Sequence, residues 1–231
     1  MFNAAVGAAR ALLRPLLRRP LHQPEIVRAY SLFGSDYGSW PLLENSANES
    51  SVIYSFGIGE DISFDLAAIA RYGCAVHGFD PTPKSRNWIE TQPLPPQMHY
   101  YPYGISSTDA EVKFFPPANQ DHVSFSFQPG KNHVCEPVIC KVYRLSTIMR
   151  MLDHIAIDVL KLDVEGFEYG VIEDFLSENI LPRQVLIEFH HGIYNIDNDK
   201  TKAAVDRLRE SGYRIFYISD TGREYAFVRL N

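Results

Sequence analysis

Apolar positions along this chain follow two alternating periods, and the period changes at glycines, prolines and acids. Val52-Ile53-Tyr54-Ser55-Phe56 is a short apolar run closed by Gly57-Ile58-Gly59-Glu60-Asp61, which predicts a buried strand and a turn. From Ile62 to Tyr72 apolar residues recur at helical spacing (Ile62, Leu66, Ile69, Ala70), and Gly73 stops the helix. Ala75–Phe79 predicts a second strand closed by Asp80-Pro81, and Lys84–Thr91 a short helix ended by the prolines at 93–96. Met98–Ile105 reads as a third strand. Val112–Phe115 and Val123–Phe127 alternate and predict antiparallel excursions at a rim. Ser146–Leu152 is a short helix, Ile155–Leu162 a fourth strand and Glu168–Asn179 its helix. Gln184–Phe189 is a fifth strand ending in His190-His191, and Asp199–Ser211 an amphipathic helix ending at Gly212. Tyr213–Ile218 and Glu224–Leu230 close the chain as strands joined through Asp220-Thr221-Gly222, a hairpin turn.

Strand–helix alternation predicts an α/β fold with a doubly wound, mostly parallel sheet of seven strands. A terminal antiparallel hairpin after the fifth crossover is unusual for a dinucleotide oxidoreductase but expected of a class I methyltransferase sheet. The domain is placed at residues 49–231, preceded by a basic helical extension and loop over 1–48.

Length and composition fit that picture. The chain has 231 residues, 45% hydrophobic and 22% charged, which suits a single soluble core. Its net charge is −6, unevenly spread: residues 1–30 carry five arginines against Glu25, a net +4 that leaves −10 on the remainder. An acidic body argues against nucleic acid as partner. No stretch is long and apolar enough to span a bilayer. Ala4–Leu17 is acid-free and Ala/Leu/Arg-rich, a pattern shared by a frayed helix packed on a partner, a membrane-surface helix and a mitochondrial transit segment. Cys74, Cys135 and Cys140 lack metal-ligand spacing and suit a reducing compartment. The expected location is therefore cytoplasmic, or mitochondrial if the first thirty residues act as a transit segment.

Candidate chemistry gathers at strand ends. Gly57 and Gly59 let the backbone approach a ligand, with free N–H groups at the following helix start. A dinucleotide fingerprint would place a third glycine where Ile62 stands, and Glu60 and Asp61 set negative charge where a pyrophosphate would lie. Asp80 closes the next strand about twenty residues on, where an acid accepts hydrogen bonds from ribose hydroxyls. The most informative run is Val159 to Glu168, an apolar strand ending in Asp163, Glu165 and Glu168 around Gly166. Neighbouring ends of a parallel sheet lie roughly 5 Å apart, so Asp163, Glu165, Glu188 and His190 can converge on one crevice. Glu165 and His190 are the candidate general bases. Glu168 reads as a first-turn helix charge, and Glu165 alternatively as a helix cap or partner of Lys161. Asp163, Glu188 and His190 are possible metal ligands by type, but their spacing is unspecific and no metal is expected.

With these residues in place, residues 50–231 resemble the FkbM-type family of S-adenosylmethionine-dependent methyltransferases. The hallmark is a strand ending Lys/Arg-x-Asp-x-Glu-Gly-x-Glu, matched by Lys161, Asp163, Glu165, Gly166 and Glu168. The run Ser55 to Asp61 is most similar to the branch of animal methyltransferase-like proteins. The resemblance implies S-adenosylmethionine as cofactor, with Phe56, Gly57, Gly59 and Asp61 at its methionine end and Asp80 on the ribose. It implies Gly104, Ile105 and Ser106 near the adenine, and Asp163 and Glu165 facing the sulfonium and the acceptor. Ser55 departs from the family, which usually has an acid there; the contact to the methionine amino group is then open among Asp61, Glu60 and Asp163. The leading function is O-directed methyl transfer to a small molecule, glycan or protein. A catalytically silent methyltransferase fold and a nicotinamide oxidoreductase are the alternatives.

Overall fold

The computed structural model describes residues 20–36, 38–115 and 136–230. The expected helix within residues 4–17, the strand at 123–127 and Cys135 lie outside them.

Among the described residues the central sheet is built from β3 (Val52–Phe56), β4 (Ala75–Phe79), β5 (Met98–Tyr101), β9 (Val159–Leu162), β10 (Gln184–Glu188), β11 (Tyr213–Ile218) and β12 (Glu224–Arg229). Their order is β5-β4-β3-β9-β10-β12-β11. Every pair is parallel except those made by β12, which runs antiparallel to β10 and β11. The expected doubly wound sheet with its terminal hairpin is therefore the observed one. The order reverses at β3, and the switch point at the carboxyl ends of β3 and β9 is where open α/β sheets bind ligands.

The helices are α1 (Ser63–Tyr72), α2 (Pro83–Ile89), α3 (Leu145–Met151), α4 (Glu168–Ser177) and α5 (Asn198–Glu210). Strand alternation divides the core into two layers. Tyr54, Phe56, Leu160, Leu162, Val185 and Ile187 pack with Ile148, Ile172, Phe175 and Leu208 of α3, α4 and α5. Ile53, Val76, Val159 and Leu186 pack on the opposite face with Phe64, Ala68 and Ile69 of α1. A fully buried Leu, Ile or Phe contributes roughly 1.5–3 kcal/mol relative to an exposed one.

Three expectations change. The strand placed at Met98–Ile105 breaks at Pro102, which has no N–H for a ladder. Gly104–Ile105 becomes β6 and joins β7 (Ala110–Phe114) and β8 (Val138–Tyr143) in a separate sheet of order β6-β8-β7. The strand placed at Ile155–Leu162 begins only at Val159, and Ile155 is almost fully exposed. The segment read as loop holds β2 (Trp40–Leu43), which pairs antiparallel with β1 (Tyr30–Phe33). Phe33, Trp40 and Leu42 bury themselves against the α1 layer, and the Leu43 amide donates to Gln184 Oε1 at 3.0 Å.

His77 lies buried in β4, stacked on His99 at 4.9 Å and edge-on to His154 at 4.7 Å, with the Tyr101 hydroxyl 3.2 Å from Nδ1. Burial, then the His154 and His99 charges, push its pKa down to about 4. His77 therefore stays neutral in the fold but gains a proton in the unfolded chain below about pH 6.5. Its stabilising contribution is present above pH 6.5 and lost as pH falls towards 4, an expected cost of about 2–3 kcal/mol at pH 4. Urea unfolding of the wild type and His77→Phe across this range checks this. Parallel pH profiles would dismiss it.

Candidate active site

One cleft of about 1020 Å³ lies over the carboxyl ends of β3, β4, β9 and β10. It is lined by Phe56, Gly57, Gly59, Asp61, Asp80, Gly104, Ile105, Asp163, Glu165 and His190. Of the site residues expected from sequence, Ser106 alone is not among the lining residues; it is buried, and its amide donates to the Tyr143 carbonyl at 3.0 Å. Asp80 and Asp163 open into this same cleft.

The first loop is held by backbone contact. Gly57 has φ +76°, and a Cβ placed on it would lie 1.7 Å from the Asp163 carbonyl oxygen. No side chain fits there, so the turns after β3 and β9 touch directly. The Gly59 amide donates to Asp80 Oδ2 at 3.0 Å, tying the loop to the end of β4. Asp80 Oδ1 accepts from the Thr82 amide at 2.9 Å and hydroxyl at 2.6 Å. Thr82, not Asp80, caps α2. A carboxylate offers about four acceptor positions; these three donors, with the Ser85 hydroxyl nearby, leave Asp80 little more than one of them for a ligand. Burial raises its pKa against the bonds from Thr82 and Gly59. Beside it, Phe56 and Phe79 stack at 4.3 Å and give the cleft an apolar wall.

Asp61 is held by two serines. Oδ1 accepts from the Ser63 amide at 2.7 Å and Oδ2 from the Ser35 hydroxyl at 2.8 Å. Burial acts to raise its pKa, but the bonds from Ser63 and Ser35 and the Lys161 charge outweigh it, and the carboxyl is held below its usual value.

Glu168 is the first-turn charge expected of α4, but it does not face solvent. It is fully buried and accepts from the Gly166 amide at 2.8 Å and the His190 amide at 2.9 Å, with His190 Nδ1 at 3.2 Å. On the other side of the ring, Nε2 lies 3.4 Å from Glu165 Oε2. Burial would keep the imidazole neutral, but Glu168, Glu165 and Glu188 outweigh it and push its pKa up to about 10. At neutral pH His190 is an imidazolium clamped between two carboxylates, which leaves no lone pair for proton abstraction. Glu165, with φ +51°, accepts from the Tyr194 hydroxyl at 2.5 Å. The alternative pairing of Glu165 with Lys161 does not occur, because alternation in β9 sends Lys161 to the α1 face. There Lys161 Nζ lies 3.4 Å from the Phe56 and Gly57 carbonyls and 5.2 Å from the centre of the Trp40 ring.

Glu188 faces Asp163 and, across the β10–β12 ladder, Glu224. Burial, then the Asp163 charge, raises its pKa and favours the protonated form of Glu188. Asp163, Glu165 and His190 each offer a ligand atom within 4.8 Å of one another, donor types that suit a divalent cation. Both His190 nitrogens are already engaged. Sequence reasoning passed over Trp40, Asp65, Tyr194 and the hairpin residues Thr221, Arg223 and Glu224, all of which line the cleft. Only the hairpin had a local signal, the Asp-Thr-Gly turn.

Glu168→Gln removes the charge that holds the buried imidazolium. The His190 pKa should fall markedly towards its ordinary value, read from ring proton shifts by NMR, with stability lowered by roughly 3–5 kcal/mol. An unmoved His190 titration would refute the clamp.

The model of the "Methyltransferase FkbM domain" family matches residues 51–215, well over half of the chain. The "Probable methyltransferase-like protein 24" of Homo sapiens is 30% identical over 145 residues, 62% of this chain and 33% of that protein. Its Rattus norvegicus counterpart is 27% identical over 140 residues, 60% of this chain and 32% of that protein. The chain thus spans about a third of the length of these curated relatives. Among solved structures, Aeropyrum pernix fibrillarin with natively bound S-adenosyl-L-methionine aligns with a TM-score of 0.44 at 11% identity, covering 88% of this chain and 83% of that one. The METTL16 methyltransferase domain aligns with a TM-score of 0.44 at 12% identity, covering 80% and 60%. Matched family model and strand order agree: the chain belongs to the FkbM family of S-adenosylmethionine-dependent methyltransferases.

Proposed function

We propose that this chain binds S-adenosylmethionine in the cleft and transfers its methyl group to a hydroxyl of a small-molecule, glycan or protein acceptor. The observation that carries the reading is the convergence of the side-chain-free Gly57 turn, Asp80 and Glu165 on one cleft. The donor set suits this cofactor. Asp80 keeps acceptor capacity for a ribose hydroxyl, Phe56, Phe79 and Ile105 offer apolar surface, and the carboxylates around Asp163 favour a cation. Glu60 and Asp61 oppose a pyrophosphate, which disfavours the oxidoreductase alternative.

When bound, the cofactor supplies an electrophilic methyl group on a cationic sulfonium. The protein holds the acceptor oxygen in line and takes its proton. Of the two candidate bases, His190 is a doubly paired imidazolium suited to positioning, and we assign the base role to Glu165. Glu165 is the accessible member of the Glu165–His190–Glu168 row, and its carboxylate is steadied by Tyr194 and His190. Removing the proton as the methyl shifts makes the oxygen a better nucleophile without leaving charge on the acceptor. Attraction between carboxylates and cofactor fades as the sulfonium charge is lost, so positioning and proton removal supply most of the acceleration. Tyr217 of β11 and Thr221 and Arg223 of the β11–β12 turn line one wall of the cleft.

S-adenosylhomocysteine should raise the melting temperature and NAD should not. Asp80→Ala should weaken S-adenosylhomocysteine binding at least tenfold by calorimetry while leaving the fold intact; unchanged affinity would remove Asp80 from the site. Glu165→Gln should keep that affinity but lose about a hundredfold or more in methyl release. Full turnover in Glu165→Gln would rule out the assigned base.

A further inference from the structure

The α1 side of the cleft contains a charged group that the reading above leaves unused. Ser55 of β3 lies directly opposite Lys161 of β9 in the parallel register, and alternation points both towards α1. Asp65, in the first turn of α1, is 1% exposed and lines the cleft with Lys161 and Trp40. Asp65 Oδ1 and Ser55 Oγ are both buried without a hydrogen-bond partner among the described residues. Burial pushes the Asp65 pKa up to about 6, against the Lys161 charge and the nearby Ser55 hydroxyl, whose geometry falls short of a hydrogen bond. Lys161 has no carboxylate within ion-pair distance among the described residues; its contacts are two carbonyls and the Trp40 ring. A buried acceptor left without a donor costs about 1–3 kcal/mol, more when charged, so such a group marks a place for a ligand donor.

The chemistry of this corner is specific. A carboxylate with an unfilled acceptor position and an unpaired ammonium, on the same side of the first glycine, complement the two charges of an α-amino-acid zwitterion. The other acids near the loop already have partners: Asp61 is held by Ser35 and Ser63, Glu60 lies 3.5 Å from Lys84, and Asp163 lies beside Glu188, whereas Asp65 Oδ1 has none among the described residues.

We propose that Asp65 receives the ammonium of the cofactor's amino-acid end, in the place that Ser55 leaves without an acid. The inference rests on the cofactor reading above. A neutral residue at 65 would leave adenosine recognition by Asp80 intact and remove only the charge that reads the amino group.

Calorimetry on the purified chain tests this with three ligands: S-adenosylhomocysteine, its analogue lacking the α-amino group, and 5′-methylthioadenosine, which lacks the whole amino-acid end. The wild type should bind S-adenosylhomocysteine at least tenfold more tightly than the deamino analogue. Asp65→Asn should abolish that difference and leave methylthioadenosine affinity unchanged; Asp65→Ser serves as a second variant if the amide does not fold. The proposal is overturned if the wild type does not distinguish the amino group, if Asp65→Asn keeps the distinction, or if the variant loses all three ligands equally. A wild type that binds none of the three refutes the cofactor reading itself, a separate result from the others.

Discussion

The contact between Gly57 and the Asp163 carbonyl is the constraint on which the site depends. Two adjacent parallel strands, β3 and β9, end side by side, and the chain must leave both ends through turns that touch. Close approach of two backbones is possible only where one residue lacks a side chain and tolerates positive φ. That approach brings the Gly59 amide to Asp80 and sets the cleft between the loop and the acids after β9.

The acids around that cleft are separated by environment, not by type. Glu168 is buried and satisfied by two amides and an imidazolium; Glu188 is half-buried beside Asp163 and leans towards its protonated form; Glu165 stays accessible. Burial and pairing thus give neighbouring acids of the same type distinct environments and distinct roles. His190 is the pivot of this division. It bridges the strand exit of β10 to the acidic turn after β9, and its charge offsets the negative cluster on both sides of the ring.

The β1–β2 hairpin adds a second layer to the site. Trp40 lies over the Lys161 ammonium, and Leu42 joins the α1 core, so a segment with loop-like composition closes the far side of the cleft. Glu25 ties the approach to that hairpin to the body, accepting from Arg209 at 2.7 Å and from the Ile215 amide at 2.8 Å.

Much of this was legible in the residues. Five apolar runs with helical segments between them, and a terminal pair joined by Asp-Thr-Gly, determine a doubly wound sheet, because period and turn chemistry are local properties. The glycines after β3, Asp80 and the 163–168 acids point to its carboxyl edge for the same reason. What the linear order could not carry are relations between distant segments. The pairing of Ser55 with Lys161, the burial of Glu168 against His190, the docking of Trp40 and the break at Pro102 that sends Gly104–Ile105 into another sheet all depend on register and packing. Local patterning decided which elements form and where chemistry gathers; tertiary structure alone decided which charges are buried together, since burial and proximity belong to the packed chain.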